Sequence, residues 1–145
     1  GRLFFVWDQS GWGNLYQLGA EGPECLCPHT AEFGLPLWAL GARSFAVLPD
    51  GRLFVTYFEE GRSNAALLTP DTGGLEHLET GLSNVYGPTL LDGKVAAQVT
   101  SDTEAPAIGL IDLDGTASII RRSAAFDLAQ GNRAQDRRPW PSFDP

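Results

Sequence analysis

Pro49-Asp50-Gly51-Arg52-Leu53-Phe54-Val55-Thr56-Tyr57-Phe58-Glu59-Glu60-Gly61 packs a tight corner, an apolar run and a second polar corner into one short stretch. Asp-Gly between apolar runs is the strongest short-range hairpin signal, because both residues tolerate positive φ. Leu53 to Phe58 is nearly continuously apolar, as is Leu3 to Trp7, the mark of strands covered on both faces. Ser44 to Leu48 leads into the first corner, and Asn64 to Leu68 follows the second. The turn Pro70-Asp71-Thr72-Gly73 then precedes a fourth run, Leu75 to Leu78. The unit is four short strands joined by tight turns.

The same template occurs twice more. Leu3-Phe4-Phe5-Val6-Trp7-Asp8 ends in Gln9-Ser10-Gly11, and Val95-Ala96-Ala97-Gln98-Val99-Thr100 ends in Ser101-Asp102. Asn14 to Leu18 and Pro106 to Ile111 supply the next strand in each copy. The turns Gly19-Ala20-Glu21-Gly22 and Asp112-Leu113-Asp114-Gly115 follow, then Glu24 to Cys27 and Thr116 to Arg121. The third copy also has a leading strand, Pro88 to Leu91, joined by Asp92-Gly93-Lys94, whereas the first has none. Repeat starts at Leu3, Leu53 and Val95 give spacings of 50 and 42 residues, the period of a four-stranded propeller blade. The expected fold is therefore all-β, a partial β-propeller over residues 1–123, with blades at about 1–30, 43–80 and 87–122. His29 to Ala42 is expected to cross from the first blade to the second.

A closed propeller needs at least ~4 blades, since closure protects faces and edges. Three blades, one short of a strand, do not close. The 145 residues contain no methionine, and Gly1 is expected to mark a processed, trimmed or recloned piece. From Gly131 the composition shifts to Arg133, Arg137, Arg138, Pro139, Pro141 and Pro145, so 124–145 is expected to be an extended or poorly ordered tail. Ser123 to Ala129 offers the one helical option, a single turn capped by Ser123.

Charge and composition exclude several functions. Ten Lys and Arg against 18 Asp and Glu, net −8, argue against binding a phosphate backbone. No apolar run approaches the roughly 18 residues of a membrane span. Cys25 and Cys27, two apart in an expected strand, point alike and close a disulfide only with strain. They read as small buried hydrophobes in a reducing compartment, and the expected location is cytoplasmic.

Chemistry-bearing motifs are sparse. There is no G-x-S-x-G, H-E-x-x-H, P-loop or dinucleotide fingerprint. His29, in the inter-blade connection, and His77, in an outer strand, have no serine or cysteine at a recognisable spacing. The acidic turns at Glu59-Glu60-Gly61 and Asp112-Leu113-Asp114-Gly115 lack the further oxygen ligands of a calcium loop, so no metal and no cofactor is expected. Trp7, Trp12, Trp38, Tyr16, Phe33 and Tyr86 suit either a carbohydrate site or packing between blades; packing is the commoner role.

Taken in order, Phe5-Val6-Trp7-Asp8-Gln9-Ser10-Gly11-Trp12-Gly13-Asn14-Leu15-Tyr16 resembles the S-D-x-S-G-W-x-N-L-Y stretch in the propeller of prolyl-oligopeptidase-type serine peptidases. The acylaminoacyl-peptidase and dipeptidyl-aminopeptidase branch is the most similar. Ala31-Glu32-Phe33-Gly34-Leu35-Pro36-Leu37-Trp38 resembles its E-F-x-x-P-x-W connection. Asp50-Gly51-Arg52, Tyr57 to Arg62 and Leu68 to Gly73 resemble the next blade in register. The resemblance covers about Leu3 to Ser123, while Gly131 to Pro145 departs from the family pattern.

The resemblance implies a non-catalytic domain that gates and shapes peptide access to an α/β-hydrolase domain. That domain's Ser, Asp and His would lie C-terminal to this chain, which therefore holds no catalytic residue of its own. It also implies that Glu32 and Arg62 face the substrate path; a solvated or blade-bridging charge is the alternative for both. A second reading is a stand-alone propeller-like binding module completed by oligomerisation. On either reading the exposed blade sides lead to an expected homo-oligomer, with two copies carrying strands for roughly five to six blades.

Overall fold

The computed structural model describes residues 1–36, 38 and 41–124. The expected helical turn at Ser123 to Ala129 and the expected tail lie almost wholly outside the described residues. Within them the chain is all-β, built as three antiparallel sheets. The first holds β1 (Phe4–Trp7), β2 (Asn14–Gly19) and β3 (Gly22–Cys25). The second holds β4 (Phe45–Val47), β5 (Leu53–Glu59), β6 (Arg62–Thr69) and β7 (Gly74–Leu78). The third holds β8 (Asn84–Leu91), β9 (Lys94–Thr100), β10 (Ala107–Ile111) and β11 (Ala117–Arg122). Each strand pairs with its sequence neighbour, so every sheet is a meander. This is the layout of propeller blades, partial in number.

Turn chemistry closes the meanders in two ways. Glu60-Gly61 and Asp92-Gly93 have positive φ at both positions, the mirror-image turn that suits the twist of a two-residue hairpin. Pro49-Asp50-Gly51 differs from the expected form, because only Gly51 is left-handed. Pro49 sets φ near −65° and starts an ordinary turn in which the Gly51 N–H donates to the Leu48 carbonyl at 3.0 Å. The third strand of the first blade also differs from expectation. Its ladder starts at the Gly19–Gly22 pair and ends at Cys25, so Cys27 leaves the strand and enters the core. Both cysteines are free thiols.

The second sheet is the middle layer, and its period-two alternation builds two cores. Leu53, Val55, Tyr57, Ala66 and Leu68 meet Leu15, Leu26 and Phe33 of the first blade and its connection. Phe54, Ala65, Leu67 and Leu78 meet Val85, Val95, Val99, Ala107 and Ile111 of the third blade. Phe54 is 0% exposed, and burying such a side chain stabilises by about 1.5–3 kcal/mol. A one-residue slip in β5 would exchange the two faces, so both cores fix the register.

The outer sheets are covered on one face only among the described residues. The expectation that Leu3 to Trp7 is packed on both sides is corrected here. Phe4 and Val6 turn toward the second blade, while Leu3 (57% exposed) and Trp7 (38%) lie on the opposite face. Trp12 and Trp38 are exposed as well, and only Phe33 and Tyr16 of the six singled-out aromatics are fully buried.

Candidate functional site

The Glu59-Glu60-Gly61 corner and the corresponding loops of the other blades gather at one end of the sheets. Here the connection after β3 crosses to the second blade. Glu32 and Phe58 form an antiparallel bridge, each N–H donating to the other's carbonyl at 2.8 Å. That bridge continues the second sheet by one residue pair and brings Glu32 to the end of β5, beside the Glu59–Arg62 pair. Both sequence-derived candidates therefore sit at the same end of the second blade.

Their side chains are used differently. Glu32 Oε2 accepts the Gly13 N–H at 3.1 Å and Oε1 accepts the Gly34 N–H at 2.7 Å. The carboxylate pins the loop between β1 and β2 to the crossing connection. A Cβ at Gly13 would overlap Glu32 Oε1, so a side chain there would displace the carboxylate from the two N–H groups it holds. Arg62 is exposed, and none of the ion pairs among the described residues involves it. It lines a cavity of about 430 Å³ with Ser63, Leu82, Ser83 and Asp102, at the junction of the second and third blades.

A further cluster at this end was not legible in the spacing of residue types. Asn14 is buried, and its side-chain amide bonds both backbone groups of His29. The His29 ring lies 5.9 Å from Tyr57, and Tyr57 stacks on Phe33 at 4.9 Å. His29 Nδ1 is 3.3 Å from Glu59 Oε1, but it is poorly aligned and makes no hydrogen bond. Burial pushes the Tyr57 phenol up, and the neighbouring Glu59 charge adds to this. The Asn-Leu-Tyr of the first strand pair was the available signal, since a buried Asn must find partners for its amide.

Among the described residues, His29 Nδ1 makes no hydrogen bond to a serine or cysteine, and the Ser10 hydroxyl in this cluster accepts instead from Asn14 Nδ2. Among the described residues, no group of three or more His, Cys, Asp and Glu side chains is placed to hold a metal ion. The chemistry this end offers is recognition: one unpaired guanidinium, hydroxyls and a carboxylate around an open cavity.

Meandering four-stranded sheets stacked face to face define a β-propeller, and comparison with known structures gives its kind. The chain is similar to a puromycin-hydrolyzing peptidase of Mycobacterium tuberculosis, with TM-score 0.77 and 30% identity over 86% of this chain. It is also similar to a puromycin hydrolase, with TM-score 0.76 and 27% identity over 89% of this chain. It spans 20% of the length of each. The fold matches the propeller-type domain of prolyl-oligopeptidase-type serine peptidases. No family model and no curated protein matches the sequence.

Proposed function

We propose that this chain is the non-catalytic propeller part of a serine peptidase, gating and shaping the approach of peptides to an α/β-hydrolase domain elsewhere in the polypeptide. The observation that carries this reading is the 30% identity, at a TM-score of 0.77, with a peptidase of which this chain spans a fifth. Arg62 is the residue proposed to face the substrate path, because its guanidinium is exposed beside a cavity. Glu32 acts behind it, since both its oxygens already hold backbone N–H groups. We place the chain in a reducing, cytoplasmic setting, in which thiols such as Cys25 and Cys27 stay free.

The reading frame that follows codon 123 in the source DNA tests this. A G-x-S-x-G followed by Asp and His is expected there, and a stop codon with no such domain would overturn the reading. The isolated chain is expected to leave a fluorogenic aminoacyl substrate intact. Turnover abolished by a serine-directed inhibitor would count against it.

A second reading is a binding module completed by association of copies. It is favoured by one observation: the outer faces of the first and third blades expose Leu3, Trp7, Ile108 and Ile120. Light scattering on a size-exclusion column tests this second reading. A stable monomer at micromolar concentration eliminates the second reading.

A further inference from the structure

The second and third blades, each with all four strands, share an apolar core that ends in a polar layer. Ala65 of β6 and Val99 of β9 belong to that core. Period-two alternation carries the same facing sides on to Ser63, two residues before Ala65, and to Ser101, two residues after Val99. Ser63 Oγ and Ser101 Oγ are buried without a hydrogen-bond partner among the described residues, and so is Asn84 Oδ1 at the start of β8. Of the four such side-chain atoms among the described residues, three therefore fall at this junction. Buried polar atoms are normally satisfied, so their concentration here marks a place that receives a polar guest.

The cavity of about 430 Å³ at this junction is lined by Arg62, Ser63, Leu82, Ser83 and Asp102. Arg62 and Asp102 are its two charged residues, both exposed, and neither joins an ion pair with the other or with any described residue. Opposite charges that share a cavity without meeting suit a guest that carries both signs. The Ser83 hydroxyl donates to the Thr100 carbonyl at 3.0 Å, so its lone pairs are left to accept. We infer that this cavity binds a small zwitterion, an α-amino acid with a compact apolar side chain. The guest's carboxylate meets Arg62, its ammonium meets Asp102 and the Ser83 oxygen, and its side chain rests on Leu82. A plain anion or a plain amine would leave one of the two charges unanswered. The inference shares Arg62 with the gating reading but requires no hydrolase domain. It is read as binding to this chain alone, so the two fail separately.

The probe is L-leucine, titrated into the isotope-labelled full chain and followed by NMR through the backbone amides of Ser63, Ser83 and Asp102. Saturable shifts confined to this end of the two blades are expected. Isocaproate, which is leucine without its amine, and isoamylamine, which is leucine without its carboxylate, should each bind about fivefold more weakly or worse. Arg62→Gln and Asp102→Asn each remove one charge from an exposed side chain. Both are expected to weaken leucine by a similar factor with the melting temperature unchanged. The exchanged pair, Arg62→Asp with Asp102→Arg, is expected to restore binding, because a zwitterion can turn round. Isocaproate binding as tightly as leucine would overturn the inference in favour of an anion site, and isoamylamine doing so would overturn it in favour of a cation site. No saturable shift with leucine would overturn it too, and would leave a cavity that takes water alone.

Discussion

The Asn14 side chain grips both backbone groups of one residue in another loop: Nδ2 donates to the His29 carbonyl at 3.2 Å, and Oδ1 accepts the His29 N–H at 3.1 Å. Nδ2 also donates to Ser10 Oγ at 2.9 Å. One buried amide thus sets the path of the crossing connection relative to the first strand pair. Asn14→Ala leaves the two His29 groups without protein partners in a half-buried position. We expect a loss of about 2–3 kcal/mol in urea unfolding, larger than for Asn64→Ala, where the half-buried amide makes a single hydrogen bond, to the Arg62 carbonyl.

Glu32 does the equivalent work one strand further on. Glu32→Ala is expected to cost about 1–3 kcal/mol, because the Gly13 and Gly34 N–H groups lose a charged acceptor. The distinguishing measurement is hydrogen exchange. Gly13 and Gly34 should speed up strongly, while the Phe58 amide, held by the Glu32 carbonyl, changes less.

The fold was legible in the sequence where local chemistry decides it. The Asp-Gly corners, the nearly unbroken apolar run at Leu53 to Phe58 and the repeat spacing lead to blades without any tertiary information. What was not legible depends on neighbours. Leu3 to Trp7 has the same apolar content as Leu53 to Phe58, yet only one of its faces is covered, and composition carries no count of neighbours. The end of β3 was misplaced because the ladder is set by pairing across the Ala20-Glu21 corner, not by the apolar run to Cys27. Glu32 and Arg62 were found through family likeness; that Glu32 spends both oxygens on backbone follows only from where Gly13 and Gly34 lie in space.

Position in the stack, more than residue type, should set the cost of core substitutions. Phe54 is wholly enclosed between the second and third blades, and Phe54→Ala should cost about 3–5 kcal/mol. Ile108 lies on the outer face of the third blade at 48% exposure, and Ile108→Ser should cost under about 1 kcal/mol. Chemical denaturation of both variants checks the contrast; equal losses would show that something covers the outer face of the third blade.

Two turn carboxylates give a signed pH dependence. The Arg52 backbone N–H, then its side chain, hold Asp50 below the usual carboxylate range, and the Thr116 N–H does the same for Asp114. A folded-state pKa below the unfolded value of ~3.9 means the contribution is present above that value and lost as pH falls through the folded one. Carboxyl NMR titration should place both midpoints below the ordinary value, and Asp50→Asn should remove its share of the acid-side slope. Both groups are exposed, which keeps the effect small.

The two thiols should react unequally. Cys27 lies in the core between the first and second blades, and burial, then the nearby Cys25, pushes its thiol up. A raised pKa means less thiolate at a given pH, and burial also blocks approach. Cys25 ends β3 and is half-buried. Brief iodoacetamide treatment at pH 8, read by mass spectrometry, should label Cys25 at least severalfold faster than Cys27. Adding urea past the unfolding midpoint should abolish the difference, since it arises from the fold and not from the residues. Equal labelling of the folded protein would mean that the core around Cys27 opens on the labelling timescale, and would place the first blade among the least stable parts of the stack.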